Sequence, residues 1–316
     1  MKILITDSAT LKSNNDLSLD TLKQFGEVVE YEAISKEQLE KKIADTDILL
    51  CNKTIIDKPL MDKSPTLKYI GLFATGYNNI DIEYAKKNGI AVCNAGSYST
   101  NAVAQQVIGY ILNFYTKISE YDTFVKQGGW LRSPVFSPLI FPTDEVFGKT
   151  LGLIGYGSIA KAVEKIALAL GMKILVYTRT VREESDKFVT LDYLLENSDI
   201  VSVHCPLNEQ SREMFGAETF KKFKDGAYFI NTARGGVINE QALFDALQSG
   251  KLSGAAIDVL NQEPMSPSCV LKDAKNLTIT PHTCWAPLTT RKRLLGIVCD
   301  NIKAFLDGKP QNDVTK

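Results

Sequence analysis

Three strand-like segments in the second half of the chain end in side chains that could act together on a keto acid. The stretch "FINTARGGVIN", residues 229–239, leads from an apolar run directly into Arg234 and two glycines. The next two segments, "AAIDVLNQEP" and "LTITPH", supply Glu263 and His282. A guanidinium can bind a carboxylate through two hydrogen bonds, and a histidine held against a carboxylate can give a proton to a carbonyl oxygen. These residue types predict reduction of a 2-keto acid if a hydride donor binds beside them, and the paired glycines would leave room for the substrate.

A glycine-rich turn indicates where a hydride donor could bind. This second signal matters because Arg234, Glu263 and His282, each taken alone, could equally be structural. Residues 151–160 read "LGLIGYGSIA", a Gly-x-Gly-x-x-Ala pattern where an apolar strand meets a helix. The first glycine permits a tight turn, the second lets the backbone approach a pyrophosphate, and the helix N-terminus offers N–H donors. In this context the pattern predicts a dinucleotide site. The cofactor contacts predicted at the turn are Gly155, Tyr156, Gly157, Ser158 and Ile159.

The strand after the turn ends in "VYTRT" and lacks an acidic residue. An Asp or Glu about 20 residues beyond the glycines normally binds the ribose 2′-hydroxyl of NAD. Here Thr178, Arg179 and Thr180 occupy that position, with Arg182 just beyond. An arginine beside a small hydroxyl can bind a 2′-phosphate, whereas a carboxylate would repel it. We therefore expect NAD or NADP as the cofactor, with NADP favoured, unless Arg179 is only a solvated loop residue.

The elements that must position these residues follow a regular pattern. Short apolar runs alternate with segments of helical period, as in parallel sheets flanked by helices, so the predicted fold class is α/β. One series occupies about the first hundred residues, and a second begins at the glycine-rich strand. Between them lie an amphipathic segment, residues 101–126, and a stretch rich in Gly, Pro and aromatic residues, 128–148. We interpret this last stretch as a connection between domains.

The composition excludes several classes of function. At 316 residues the chain is too long for one ordinary core, so two domains are expected. The 36 basic and 37 acidic residues form no long block of one sign, which argues against a nucleic-acid or membrane-surface partner. No apolar run approaches the roughly 18 residues of a membrane span, so we expect a cytoplasmic protein. Six scattered cysteines and only two histidines predict neither a metal site nor a disulfide framework.

Several blocks of the sequence resemble, in order, the D-isomer-specific 2-hydroxyacid dehydrogenases along nearly the whole chain. They include "GLFATGYNNIDIEYAKKNGIAVCNAGSYSTNAVAQ", "GKTLGLIGYGSIA", "HCPL", "INTARGGVINEQAL", "GAAIDVL" and "ITPHTCWA". The resemblance implies two doubly wound parallel-sheet, Rossmann-like domains with a cleft between them. Residues 1–100 and 287–316 would form a discontinuous, flavodoxin-like substrate-binding domain, and residues 101–286 the NAD(P)-binding domain. It also implies a homodimer formed through residues 101–145.

Carried over to this chain, the resemblance implies a role for each candidate residue. Arg234 would bind the substrate carboxylate, His282 would be the general acid and base, and Glu263 would favour the protonated form of His282. A backbone loop, Ala74, Thr75 and Gly76, would also bind the carboxylate, and Trp285 could close over the substrate. The further cofactor contacts implied are Val103, His204, Cys205, Pro206, Thr232, Ala233 and Asp258.

Within the family, the sequence most resembles glycerate dehydrogenases, also called hydroxypyruvate reductases. Residues 69–80 contain no Lys or Arg that could bind a substrate phosphate, so a small uncharged substituent at C3 is favoured. The predicted reaction is reversible reduction of hydroxypyruvate, and also of glyoxylate, to the D-hydroxy acid. Three alternatives stay open: a broad-specificity enzyme of the D-lactate type, a non-catalytic NAD(H)-sensing regulator on the same scaffold, and a formate-type dehydrogenase, which Glu263 as partner of His282 disfavours.

Overall fold

The computed structural model describes residues 1–181 and 185–316. The chain forms two compact units, one made of Met1–Ser99 with Ala286–Lys316 and the other of Thr100–Trp285. Each unit contains a parallel β-sheet with accompanying helices, which confirms the predicted α/β class with two parallel sheets. Among the described residues, no helix combines the length and the apolar character needed to cross a membrane.

The first unit is built on five short parallel strands. They are β1 (Lys2–Ile5), β2 (Glu27–Glu30), β3 (Ile48–Cys51), β4 (Tyr69–Leu72) and β5 (Ala91–Cys93). Their order in the sheet is β2-β1-β3-β4-β5. The inner strands β3 and β4 are buried at every residue, as expected for a parallel sheet covered on both faces. The short helices of this unit are α1 (Lys36–Lys42), α2 (Lys58–Met61) and α3 (Ile82–Lys87), with 3-10 turns at Ser8–Thr10 and Asp20–Phe25.

A long helix, α10 (Leu288–Leu306), completes the first unit. Near its start Arg291, only 7% exposed, donates to both carboxylate oxygens of Asp16 at 2.7 and 2.6 Å. The same guanidinium donates to the backbone carbonyls of Leu11 and Ala286. One arginine therefore ties the start of α10 to the segment that follows β1.

The residues that follow α10 pair with the edge of the first sheet. The N–H of Asn94 donates to the carbonyl of Asn312 at 3.1 Å, and the N–H of Val314 donates to the carbonyl of Val92 at 2.9 Å. A strand edge exposes unpaired backbone groups unless another segment covers it. The tail covers the β5 edge in this way.

The second unit is built on six parallel strands. They are β6 (Thr150–Ile154), β7 (Lys173–Tyr177), β8 (Ile200–Val203), β9 (Ala227–Asn231), β10 (Leu252–Ile257) and β11 (Leu277–Ile279). Their order is β11-β10-β9-β8-β6-β7, so the chain leaves β6 toward β7 on one side and resumes with β8 on the other. In open α/β sheets such a reversal creates a crevice at the carboxyl ends of the strands, where ligands bind.

Helices cover this sheet with two separate cores. The helices are α4 (Thr100–Thr116), α5 (Ile118–Lys126), α6 (Ser158–Ala169), α7 (Leu191–Asn197), α8 (Ala217–Lys221) and α9 (Glu240–Gln248). Successive residues of β9 alternate between the cores: Phe229 packs with a group of phenylalanines and α9, whereas Tyr228 and Ile230 pack with α4 and α6. This alternation is the period of two that strands require.

The segment that precedes β6 differs from its sequence-based interpretation. Residues 101–126, one amphipathic segment in the sequence, form two helices separated at Lys117, whose φ of 54° is left-handed. The stretch 128–148, predicted to connect domains, lies within the second unit. It contains a 3-10 turn at Trp130–Arg132.

Candidate active site

Three neighbouring strands of the second unit end beside one another and lead into the predicted catalytic residues. β9, β10 and β11 are adjacent, parallel and in register near their carboxyl ends. Arg234 follows β9, Glu263 follows β10, and His282 follows β11. The parallel topology therefore brings all three residues to the same edge of the sheet.

His282 and Glu263 form a hydrogen-bonded pair at this edge. Nδ1 of His282 lies 2.7 Å from Oε2 of Glu263, and the two side chains are 26% and 34% exposed. The other carboxylate oxygen of Glu263 accepts the N–H of Leu260 at 3.0 Å, which fixes the carboxylate relative to the loop after β10. Because Nδ1 is held in this way, Nε2 is the ring nitrogen that can exchange a proton with a substrate.

The backbone of His282 is left-handed, with a φ of 54°. Residues other than glycine seldom adopt this conformation, because Cβ crowds the neighbouring carbonyl. The N–H of His282 donates to the carbonyl of Asp258 at 2.8 Å. The carboxylate of Asp258, 2% exposed, accepts the N–H groups of Thr283 and Cys284 at 2.9 and 3.0 Å. Asp258, expected near the cofactor, thus directs its carboxylate into the loop that contains His282.

Arg234 is exposed at the end of β9, and a buried asparagine holds its backbone. The side chain of Asn231, 0% exposed, donates to the carbonyl of Arg234 at 2.9 Å and accepts the N–H of Ala233 at 3.0 Å. The guanidinium donates to the carbonyl of Ala233 at 2.7 Å, and no ion pair of Arg234 occurs within the described ranges. Its remaining N–H groups are therefore suited to binding an anion.

The two glycines after Arg234 serve packing. A Cβ at Gly235 would lie 2.0 Å from the carbonyl carbon and oxygen of Leu260, and a Cβ at Gly236 would lie 2.9 Å from the side chain of Leu207. Gly235 is buried. The expectation that these glycines leave room for substrate is therefore wrong for Gly235, which instead lets the turn after β9 pack against the loop after β10.

A cavity of about 630 Å³ opens at the carboxyl ends of β6, β7 and β8, where the strand order reverses. Its volume suits a cofactor or another small molecule. The predicted cofactor residues that line it are Gly155, Tyr156, Gly157, Thr178, Arg179, Thr180, His204, Cys205 and Pro206.

The glycine turn in this cavity has the shape that a bound pyrophosphate requires. Gly155 has a φ of 87°, and a Cβ there would lie 2.9 Å from the backbone nitrogen of Cys205. At Gly157 a Cβ would meet nothing within 4 Å, so open space lies before the N-terminus of α6. The hydroxyl of Thr232, buried just after β9, has no hydrogen-bond partner in the described part of the chain. NAD(P) fits the glycine turn, since α6 offers N–H groups to its phosphates.

Within the described residues, the charged side chains that line the cavity are positive. Arg179 and Lys161 both line it, and within the described residues neither Asp nor Glu does so. The guanidinium of Arg179 donates to the side-chain oxygen of Gln210. Two cations without a carboxylate suit a 2′-phosphate better than a 2′-hydroxyl. Arg182, considered with Arg179 from the sequence, lies outside the described residues.

Other predicted residues lie outside the lining of this cavity. Ser158 is exposed at the start of α6, Ile159 is partly buried against the core, and Val103 is 6% exposed within α4. Ala233 follows β9 beside Arg234. Trp285 is partly buried against the core formed by α4 and α6.

Sequence inspection missed several residues that line the cavity. Asn208 accepts the N–H groups of Gln210 and Ser211 through its side-chain oxygen and so forms a local turn after β8. The available signal was the Asn-x-x-Ser spacing, which is common in such turns. The missed residues are Ile154, Lys161, Tyr177, Phe188, Asn208, Gln210, Ser211 and Met214.

His204, the second histidine of the chain, is held uncharged. Burial lowers the pKa of its imidazole to about 4. Its Nε2 lies 3.0 Å from the hydroxyl of Ser202. Because this imidazole is neutral at pH 7, it is poorly suited to donate a proton there.

The predicted substrate loop Ala74–Gly76 follows β4 in the first unit. The N–H of Ala95 donates to the carbonyl of Ala74 at 2.9 Å, and the side-chain amide of Asn94 donates to the carbonyl of Thr75 at 2.8 Å. The loop is thus fixed to the segment that follows β5, at the carboxyl edge of the first sheet.

Comparison with known proteins matches the chain to one family. The family model described as D-isomer specific 2-hydroxyacid dehydrogenase, NAD binding domain, matches residues 108–284. A hydroxypyruvate reductase of Blautia hydrogenotrophica is 39% identical, with 100% of both chains covered. A glycerate dehydrogenase of Methylorubrum extorquens is 38% identical, covering 94% of this chain and 96% of its own. The solved structure of an NADPH-dependent glyoxylate/hydroxypyruvate reductase from Sinorhizobium meliloti has a TM-score of 0.85 at 29% identity, covering 99% of this chain and 97% of that chain.

Proposed function

The chain belongs to the family of D-isomer-specific 2-hydroxyacid dehydrogenases and is an NAD(P)-dependent oxidoreductase, and we propose that it reduces hydroxypyruvate to D-glycerate. The observation that carries the proposal is the pair formed by His282 and Glu263, 2.7 Å apart at the sheet edge that Arg234 shares. This edge continues, along the same sheet, into the strand ends that form the cavity for NAD(P). The residues proposed as proton donor and anion-binding group, and the cavity proposed for NAD(P)H, therefore belong to one unit.

Reduction of a 2-keto acid requires a hydride at C2 and a proton on the carbonyl oxygen. Bound NAD(P)H supplies the hydride. Arg234 binds the substrate carboxylate through two N–H groups and orients the carbonyl. Nε2 of His282 gives its proton to the carbonyl oxygen as negative charge develops there, and Glu263 stabilises the imidazolium through Nδ1–H.

Two substitutions test these roles. His282→Ala should lower kcat by about 10² or more, because it removes the general acid, while fluorescence titration should show unchanged binding of NADPH. Arg234→Lys should raise KM for the keto acid, because one ammonium cannot form the paired hydrogen bonds. Arg212→Lys, at another exposed arginine of the same unit, is the matched control. Near-normal turnover by His282→Ala would overturn the role of His282.

The choice of hydroxypyruvate is supported by the relatives and by one feature of the chain. The two similar curated proteins are a hydroxypyruvate reductase and a glycerate dehydrogenase. The segment that includes the loop Ala74–Gly76, residues 69–80, contains no cation for a substrate phosphate. We propose that the first unit is the substrate-binding domain and that this loop binds the substrate carboxylate.

Steady-state assays with NADPH should rank hydroxypyruvate first, with glyoxylate also turned over, among a set that includes pyruvate and a branched keto acid. Much faster turnover of pyruvate would replace the assignment with a dehydrogenase of the D-lactate type. Tight binding of NAD(P)H without turnover of any small keto acid would favour the NAD(H)-sensing alternative.

We further propose that NADPH is preferred over NADH. The proposal is supported by Arg179 and Lys161 in the cavity and by Thr178 and Thr180 beside the arginine. The ratio of kcat/KM for NADPH and NADH measures the preference directly. Arg179→Asp should shift that ratio toward NADH, because a carboxylate repels the 2′-phosphate. An unchanged ratio would show that Arg179 does not take part.

We propose, finally, that the enzyme acts in the cytoplasm as a homodimer. The region between α5 and β6 leaves large apolar side chains exposed: Leu131, Phe136, Leu139 and Phe147 are 92, 90, 87 and 75% exposed. Such a group is typical of a surface that a second copy buries. Light scattering should give the mass of a dimer for the wild type and a smaller mass for Phe136→Asp. A monomeric wild type would contradict the proposal.

A further inference from the structure

A buried carboxylate holds the loop that contains His282. Oδ1 of Asp258 accepts the hydroxyl of Thr280 at 2.5 Å and the N–H of Thr283 at 2.9 Å, and Oδ2 accepts the N–H of Cys284 at 3.0 Å. All three donors belong to the loop after β11, on both sides of His282. The carboxylate therefore organises this loop from within the protein.

The hydrogen bonds extend from this carboxylate to helix α4. A threonine hydroxyl has one hydrogen, and that of Thr280 is given to Asp258. The oxygen of Thr280 must then accept the hydroxyl hydrogen of Tyr110, which lies 2.5 Å away. Burial raises the pKa of Tyr110 well above its usual range, so this hydroxyl keeps its proton. The chain therefore runs in one direction, from Tyr110 through Thr280 to the carboxylate.

These hydrogen bonds act against strain in the backbone of His282. The left-handed backbone of His282 is less favourable than an ordinary conformation, because Cβ crowds the neighbouring carbonyl. Bonds to Asp258 from the N–H groups of His282, Thr283 and Cys284 offset that cost. If the carboxylate turned or moved, the loop could relax and carry the imidazole away from its present position.

We propose that Tyr110 is a positioning residue for proton transfer, since its hydroxyl, acting through Thr280 and Asp258, fixes the loop that presents His282. Tyr110 lies on α4, 5% exposed, and makes its contact with the loop from the buried side. The inference rests on the proposed role of His282 as proton donor. Tyr110 would therefore influence catalysis from α4 without touching the substrate.

Tyr110→Phe tests the proposal, because it removes only the hydroxyl, and with it the bond to Thr280 and the 3.5 Å contact with Sγ of Cys284 in the same loop. We expect kcat for hydroxypyruvate to fall about fivefold, the change that losing one ordinary hydrogen bond produces, with an unchanged Kd for NADPH. Amide hydrogen exchange at residues 282–284 should become faster by a similar factor. Tyr115→Phe, which removes a half-buried hydroxyl from the same helix, should change neither kcat nor the rate of amide exchange.

Thr280→Val is the second variant, because it keeps the shape of the side chain and breaks the same chain of hydrogen bonds. Its effect on kcat should be at least as large as that of Tyr110→Phe, because it also removes the donor to Asp258, and the double variant should lose little more than Thr280→Val alone. Unchanged amide exchange in both variants would overturn the inference and leave the proposed function intact. Faster exchange with unchanged kcat would also overturn it. Full turnover by His282→Ala, measured in parallel, would instead reject the proposed proton donor.

Discussion

Substitution of Gly235 by alanine should disable the active site without touching any group that acts on substrate. The added Cβ would lie 2.0 Å from the carbonyl carbon and oxygen of Leu260, whereas ordinary contact begins at 3.4 Å. Both partners are backbone, so no flexible side chain can move aside. The loop after β10 must therefore retreat by about 1.4 Å, or the turn after β9 must do so.

That displacement reaches the proton donor through two hydrogen bonds. The N–H of Leu260 donates to one oxygen of Glu263 at 3.0 Å, and the other oxygen pairs with His282 at 2.7 Å. A misplacement of about 1 Å in a catalytic group can cost about 10²-fold in rate. We expect kcat/KM for hydroxypyruvate to fall by about that factor. Overpacking should also lower the free energy of unfolding by roughly 1–3 kcal/mol.

Stopped-flow reduction of hydroxypyruvate, with titration of NADPH and thermal unfolding, separates these effects. The Kd for NADPH should stay within about twofold of the wild type, because the glycine turn lies at β6 and not at β9. Gly109→Ala, at a position in α4 where a Cβ meets nothing within 4 Å, is the control for adding a methyl group. A Gly235→Ala enzyme with kcat/KM within threefold of the wild type would refute the coupling between Leu260 and the catalytic pair.

Three further predictions concern stability. Burial lowers the pKa of His204 from 6.5 to about 4, so below pH 6.5 the unfolded chain binds more protons than the folded protein. Between pH 7 and pH 5 the free energy of unfolding, measured in urea, should therefore fall by about 2 kcal/mol more for the wild type than for His204→Asn. Equal losses would contradict this cause. Arg291→Met leaves the carboxylate of Asp16 and two carbonyls without their donor and should lower the free energy of unfolding measurably, whereas Lys292→Met, at an exposed neighbour, should change it by less than about 0.5 kcal/mol. Similar values for both would show that the contacts of the buried Arg291 contribute little to stability. Gly296→Ala, within α10 where a Cβ meets nothing within 4 Å, should raise the free energy of unfolding by about 0.7 kcal/mol, and a lowered Tm would contradict it.

The sequence was sufficient for the fold and the family because both depend on local patterns. Alternating apolar and helical segments predict parallel sheets, and the parallel arrangement sends Arg234, Glu263 and His282 to one edge whatever the details of packing. The glycine spacing at 155 and 157 likewise predicts the turn at the cavity, where Gly155 has a left-handed φ of 87° and the lack of a side chain at Gly157 leaves open space. The roles of these residues in catalysis stay predictions.

Other features depend on contacts between distant segments and could not be inferred from pattern. The family resemblance implied that Asp258 lies near the cofactor, and no sequence pattern indicated that its carboxylate binds the loop that begins more than twenty residues later. Gly235 was expected to leave room for the substrate, but a Cβ there would meet the backbone of Leu260. No glycine or proline marks the break at Lys117, so the continuous apolar period predicted one helical segment where the structure has two helices.

The tail that pairs with β5 has a practical consequence for handling the protein. Asn312 and Val314 make backbone hydrogen bonds with that strand, so they belong to the sheet in the same sense as an added strand does. Proteolytic trimming that removed them during purification would leave the strand free to pair with another molecule and would promote aggregation. An affinity tag joined after Lys316 should therefore be separated by a flexible spacer, so that tension on the tag is not transmitted to these bonds.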